Sequence, residues 1–303
     1  MGLLIATAAA FAVTERLKLV KSPVYGTFVS KTLSPVCSCA RGKATVAFKL
    51  RRADDLTLQI VDAHRHVVAT LASGRREPKG HVSFVWDGRT DEGTRAPDGI
   101  YQPQIHLGRQ HRTILMPNRI SLDTKPPAVV SVTLSRPSVS PDGDHVGDSV
   151  KIGYKLSEQA HVLVYLGDHL LIRGRFRKPT DSVTWYGVVG GVPLKAGSYT
   201  LAVGAVDLAG NQTPVAKRKQ VQVDVRYIAV APSRVRTRPG ATFVVHVATD
   251  SPRYTWTLGH RHGKSGKAAL KLAAPAGAGS YALVLTERGH TARATVVVSG
   301  GGK

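Results

Sequence analysis

The side chains best placed for chemistry in this sequence are carboxylates. Asp87, Asp91, Glu92 and Asp98 crowd into the stretch Val82 to Leu107, in a chain of 303 residues with only 20 Asp plus Glu against 42 Lys plus Arg. Carboxylates so placed do acid–base work when a cleft separates their pKa values. These instead surround Asp87-Gly88 and Pro97-Asp98-Gly99. Both are turn signals: glycine supplies positive φ, Asp bonds its own backbone, and proline presets φ. Turn chemistry is therefore expected of them, rather than catalysis or metal binding. A second group, Asp142, Asp144 and Asp148, lies in Ser140-Pro-Asp-Gly-Asp-His-Val-Gly-Asp148. Its alternating and then wider spacing, with glycines to bend the chain, is able to present oxygen ligands to Ca²⁺. No glutamate closes that loop, so a plain turn is the alternative.

Nitrogen and sulfur ligands are sparser. His64-Arg-His66 and His260-Arg-His262 would each place two imidazoles on one face if those segments were strands, but no third ligand is visible and solvated histidines are expected. Cys37 and Cys39 are the only cysteines. They read as a local disulfide clip or a pair of unreactive thiols, since two thiolates alone are an incomplete metal site. No nucleophile elbow, phosphate-cradling glycine loop or zinc-helix signature is present. Gly187 to Gly191 is glycine-rich but no helix pattern follows it, so it reads as a hairpin loop.

The elements that would position these groups are strands. Val46, Phe48 and Leu50, then Leu56, Leu58 and Ile60, alternate with polar residues, and Ile152, Tyr154 and Leu156, then Val162, Val164 and Leu166, repeat that spacing without a gap. Period-two alternation buries one face of a strand and leaves Thr57 and Gln59, or Leu163 and Tyr165, on the other. Val82, Phe84 and Trp86 in the first copy, and Val183 and Trp185 in the second, end in tryptophans expected in the core. Gly-x-Tyr recurs at Gly99-Ile-Tyr101, Gly197-Ser-Tyr199 and Gly279-Ser-Tyr281. A third region reads as strands over Phe243 to Val247, Tyr254 to Leu258, Ala268 to Leu272, Tyr281 to Leu285 and Ala292 to Val298, with a weak repeat match. Pro103 cannot donate to a ladder and is expected on an edge strand.

Short strands at regular spacing, without a helix-period segment after residue 20, predict an all-β chain of tandem β-sandwiches. The expected organisation is a signal or membrane-anchor segment over 1–20, sandwiches over 21–125, 126–225 and 226–299, and a flexible tail over 300–303. The first thirteen residues, MGLLIATAAAFAV, are too short to span a bilayer comfortably but suit a signal-peptide apolar region. Arg16, Lys18 and Lys21 follow that stretch and no base precedes it, the reverse of the usual flanks.

The formal charge of +22 attracts polyanions without choosing among them. Aromatic residues are only 6% of the chain, too few for base stacking, so nucleic acid is not an expected partner.

The first copy resembles the immunoglobulin-like domain of the flagellar hook-capping protein FlgD and its relatives on bacterial surfaces. The residues that carry the likeness are Phe84-Val-Trp86-Asp87-Gly88, Gly93 and Pro97-Asp98-Gly99-x-Tyr101, preceded by the strand pair Val46 to Leu50 and Leu56 to Asp62. The second copy, with Trp185, Gly197-Ser-Tyr199 and Asp207-Leu-Ala-Gly210-Asn211, is similar to bacterial immunoglobulin-like modules more generally and lacks the Asp-Gly after tryptophan. The Ser140 to Asp148 loop likewise resembles Ser-Pro-Asn-Gly-Asp-Gly loops of related surface modules, with His145 in place of a glycine. The resemblance implies a surface or scaffold module without catalysis. The apolar N-terminal stretch favours export over a cytoplasmic chain with an apolar first strand. The expected protein is therefore an exported, non-enzymatic scaffold or adhesive chain of tandem immunoglobulin-like modules at the cell envelope. Its partners would be envelope proteins or an anionic wall polymer, with the membrane engaged through the N-terminal segment and calcium the one cofactor considered. The alternatives are electrostatic binding of an anionic polymer or glycan, and accessory domains serving a partner enzyme.

Overall fold

The computed structural model describes residues 22–300, whose regular structure is β-strand apart from a single 3₁₀ turn at Val215–Lys217. The N-terminal segment 1–20 and tail residues 301–303 lie outside the described residues. The chain divides into two compact units: one runs to Pro126 and includes Asp207–Gln212, and the other comprises Pro127–Val206 with the chain from Thr213 onward.

In the first unit, Val24–Val29, Ala44–Leu50 and Gly80–Trp86 form a three-stranded sheet. A second sheet sets Thr32–Leu33, Ile120–Leu122, Gly99–Leu107, Asp54–Val61 and Val67–Glu77 side by side, with Arg112–Leu115 also paired to Gly99–Leu107. The alternating residues meet between the sheets: Val46, Phe48, Leu50, Leu56, Leu58 and Ile60 are all fully buried. Trp86 lies among them with its ring edge against Tyr101, centroids 5.0 Å apart, a favourable T-shaped geometry. The indole N–H donates to the Arg89 carbonyl and the Tyr101 hydroxyl to the Pro97 carbonyl, so neither polar tip is stranded in the core.

Pro103 does not lie on an edge. It pairs with Ile60 inside the larger sheet. Its carbonyl accepts from the Met116 N–H, and the N–H and C=O of one strand residue point the same way, so the missing donor faces the gap where Gly99–Leu107 changes partner from Ile120–Leu122 to Arg112–Leu115. No ladder bond is lost there. Cys37 and Cys39 form a disulfide in the loop before Ala44–Leu50. Gly210 rests on it with φ +93°, where a Cβ would strike the sulfur, and Asn211 accepts from Ser34 and donates to the Asp123 carbonyl. The Asp-x-Ala-Gly-Asn turn is thus closed internally by Asp207, which accepts from the Asn211 backbone and side chain.

The second unit holds two sandwiches built on the same plan. One sets Val129–Leu134, Val150–Leu156 and Thr180–Trp185 against Ser138–Val139, Lys219–Val225, Gly197–Val206, Ala160–Leu166 and His169–Arg177. The other sets Ala229–Ala231, Thr242–Ala248 and Ala269–Ala273 against Arg234–Thr237, His290–Val298, Gly279–Glu287, Tyr254–Leu258 and Arg261–Ser265. The plan extends to detail, because in each sandwich the short second strand runs parallel to the last one: Thr32 beside Ser121, Ser138 beside Asp224, Arg234 beside Thr295. Each has its own hydrophobic core. Tyr199 and Tyr281 repeat the bond of Tyr101, each donating to the carbonyl four residues upstream. Trp185 repeats the bond of Trp86, donating to the Val188 carbonyl.

The second copy keeps the glycine if not the aspartate. Gly88 and Gly187 both sit two residues after tryptophan at positive φ, +80° and +65°, where a Cβ would press on Pro35 or Pro141. Leu163 and Tyr165 are not on an open face. With Val206 they form a small separate cluster, and the Arg218 guanidinium lies 3.7 Å over the Tyr165 ring in a cation–π contact.

Removing Trp86 tests this architecture. Trp86→Ala is expected to cost about 3–5 kcal/mol, and Tyr101→Phe, which orphans one carbonyl, about 1 kcal/mol. Denaturant unfolding of the full chain followed by far-UV circular dichroism measures both, and equal losses would contradict the packing described.

Candidate metal centre

The loop joining Ser138–Val139 to Val150–Leu156 is held open by its own acids. Asp148 accepts from the N–H groups of Gly143 and His145, Asp142 from that of Asp144, and Asp144 from that of Val146, all within 3.1 Å. Gly143, His145 and Gly147 take positive φ. One oxygen from each of Asp142, Asp144 and Asp148 comes within 4.8 Å of the others, so the spacing seen in the sequence does converge.

Two further carboxylates reach the same place from the third sandwich. Asp250 follows Thr242–Ala248, Glu287 ends Gly279–Glu287, and their oxygens with one from Asp142 form another set within 4.8 Å. Sequence spacing gave no sign of them, since both lie more than a hundred residues further on, Asp250 in a bend and Glu287 at the end of a strand. Asp250 approaches so closely that a Cβ on Gly147 would collide with its Oδ2.

Glu287 is 4% exposed. Its Oε2 accepts from the Thr249 hydroxyl at 2.7 Å, while its Oε1 is buried without a donor, as are Asp142 Oδ2 and Asp144 Oδ2. Among the described residues no Lys, Arg or His forms an ion pair with any of the five. Arg288, beside Glu287 in sequence, donates to the Gly143 carbonyl instead. Burial pushes the Asp142 carboxyl up to about 6, reinforced by Glu287 and Asp144 and opposed by the Asp144 N–H. Burial likewise raises Asp250, with Asp144 and Glu287 adding to it. An all-oxygen set of this kind suits a hard divalent cation.

The other sequence candidates behave differently. Asp87 accepts from the Arg89 N–H, Asp91 from the N–H and hydroxyl of Thr70, and Asp98 from those of Thr124. A hydrogen bond from Thr90 holds Glu92 below the usual range. His64 and His66 lie on a turn around Asp62, whose Oδ1 accepts from both backbone N–H groups, rather than on a strand face. His260 and His262 are exposed, and only His262 is in a strand. Gly190 and Gly191 turn the small hairpin in which Val188–Val189 pairs with Val192–Pro193.

A group whose folded-state pKa is raised contributes stability at low pH and loses it as pH rises through the folded value. In chelator-containing buffer, Asp142→Asn should therefore gain thermal stability relative to wild type as pH rises from about 4 to 7, then level off. The facing groups Asp144, Asp250 and Glu287 are unchanged in that comparison. Melting both proteins across the pH series checks it, and a constant difference would contradict the burial of Asp142.

Residues 34–109 match the family model described as the FlgD Ig-like domain. No curated protein matches the chain. Among solved structures, the chain is similar to an I-band fragment of titin at 13% identity, covering 93% of this chain and 100% of that one, with a TM-score of 0.33. It is similar to FlgD from P. aeruginosa at 19% identity over 45% of this chain and 90% of that one, TM-score 0.24. SGBP-B of the Bacteroides ovatus mixed-linkage glucan utilization locus, solved with a mixed-linkage heptasaccharide, shares 15% identity over 93% of this chain and 69% of that one, TM-score 0.26. The matched stretch holds Phe84-Val-Trp86-Asp87-Gly88 and Pro97-Asp98-Gly99-x-Tyr101, whose apolar side chains close the first core, and residues 34–109, about a quarter of the chain, are accordingly similar to the FlgD Ig-like domain.

Proposed function

We propose that the chain is an exported, non-enzymatic scaffold or adhesive protein of the cell envelope, built from immunoglobulin-like modules. The observation that carries this reading is the repetition of one two-sheet plan around three separate cores, each tied by its own tyrosine-to-carbonyl bond. Repeating a closed module adds reach and surface, which is what a spacer or adhesive needs. The Cys37–Cys39 disulfide supports export, because disulfides persist in oxidising compartments. In the first module, Asp87, Asp91 and Asp98 are taken up by backbone donors, from Arg89, Thr70 and Thr124.

Protease shaving of intact cells, followed by blotting with an antibody to the third sandwich, tests the location. Loss of signal is expected, whereas protection until lysis would sink the envelope reading.

The charge of +22 favours a second reading, electrostatic binding of an anionic wall polymer or glycan. Binding to such a polymer should weaken steeply as salt rises from about 0.1 M to 1 M, as the Debye length falls from about 10 Å to 3 Å. Pull-down on immobilised polymer measures this, and retention unchanged by salt would remove it.

A further inference from the structure

We infer that the Ser140 to Asp148 loop of the second sandwich, together with Asp250 and Glu287 of the third, is a Ca²⁺ site that ties these two sandwiches into one unit. Two triads of carboxylate oxygens, each within 4.8 Å, share Asp142. Within each triad that spacing is what ligands around an ion require, because Ca²⁺ holds oxygens at about 2.3–2.6 Å, and the triad of Asp142, Asp250 and Glu287 is the one that spans both sandwiches. The independent sign of a ligand is Glu287. It is almost wholly buried, its Oε1 has no donor, and it faces Asp142, whose Oδ2 has none either. Buried charge left in that state is costly unless a cation compensates it.

The chain has ample cation of its own and does not use it here. Basic residues outnumber acidic ones two to one, yet five of the 20 acids gather in two triads that share Asp142, with no ion pair to any of them among the described residues, and the adjacent Arg288 turns to a backbone carbonyl. Irregular loop geometry and a carboxylate-only donor set favour Ca²⁺ over Mg²⁺, which demands near-octahedral order and sheds water reluctantly. The ion would join elements that already touch. Gly147 abuts Asp250, Arg288 reaches Gly143, and Tyr227 stacks on His290 with centroids 3.5 Å apart. The inference holds whether or not the protein works at the cell envelope.

Calorimetric titration of the chelator-stripped full chain with CaCl₂ tests it. Saturable binding is expected with a dissociation constant of roughly 10⁻³ M or tighter, the range of extracellular calcium modules. Ca²⁺ should also raise the melting transition and slow tryptic cleavage at Arg226, between the two sandwiches. Glu287→Gln and Asp250→Asn should each weaken binding at least about tenfold, by analogy with other metal-site substitutions. Circular dichroism in chelator confirms that the variants fold, and Asp250→Asn, on a loop, carries the test if Glu287→Gln does not. Absence of binding at 10-fold excess over about 10⁻³ M, Mg²⁺ binding as tight as Ca²⁺, or full affinity in both variants would overturn the inference.

Discussion

A phenolic hydroxyl donating to the carbonyl four residues upstream fixes the start of a late, central strand in all three sandwiches. Much depends on that bond. In each module the strand it anchors is central to the larger sheet, pairing with the last strand on one side and the fourth on the other. Setting its register therefore sets which residues of three strands face the core, because a slip by one residue would exchange the faces. In the third module the same strand begins at the Tyr281 corner and ends at Glu287, so the bond that closes the core also delivers a carboxylate to the far end.

Carboxylates in this protein fall into two kinds according to what faces them. Asp54 is almost wholly buried, but its oxygens accept from the N–H groups of Asp55 and Arg109 and from the Gln110 side chain. Asp207 is as buried and accepts twice from Asn211. Asp55, in the open, has Arg109 and Arg76 beside it, and their hydrogen bonds hold it below its usual range. Burial with neutral or cationic donors is thus the rule. Asp142, Asp144 and Glu287 break it, each with a buried oxygen that has no hydrogen-bond donor, in triads of neighbouring carboxylates. Acidity alone therefore does not mark a metal site; the absence of donors does.

The strand pattern was legible because alternation is local. Even the third sandwich, whose residues barely match the repeat, shows its strands by period two, since Phe243, Val245 and Val247 are buried and the residues between them are not. The strand Val24–Val29 was not legible. Gly26, at φ +59°, sits where its register with Ala44–Leu50 shifts, and the bulge destroys the alternation. Pro103 misled for a related reason: the rule against proline in a central strand assumes a continuous partner on both sides, and here one side changes partner at that residue. Leu163 and Tyr165 showed that their strand was apolar on both faces, but not that Val206 and Arg218 would cover the second face. Of the candidate site, Asp142, Asp144 and Asp148 were readable as a spaced run. Asp250 and Glu287 were not, because only the fold brings the third module to the loop.

Where the second and third sandwiches meet, the attractive contacts include a stacked Tyr227–His290 pair, a guanidinium on a carbonyl, and Ser140 beside the Asp250 carboxylate. Against them stand carboxylates from both sides, brought within 4.8 Å. Like charges at such distances repel strongly where burial lowers the effective dielectric constant, and salt screens buried groups poorly. The general positive charge of the chain is not paired with these groups, since among the described residues no arginine or lysine forms an ion pair with any of the five. The same five side chains are therefore a wedge when bare and a clasp when they share a cation, so the strength of that junction is set from outside the sequence, by the ions of the compartment the protein occupies.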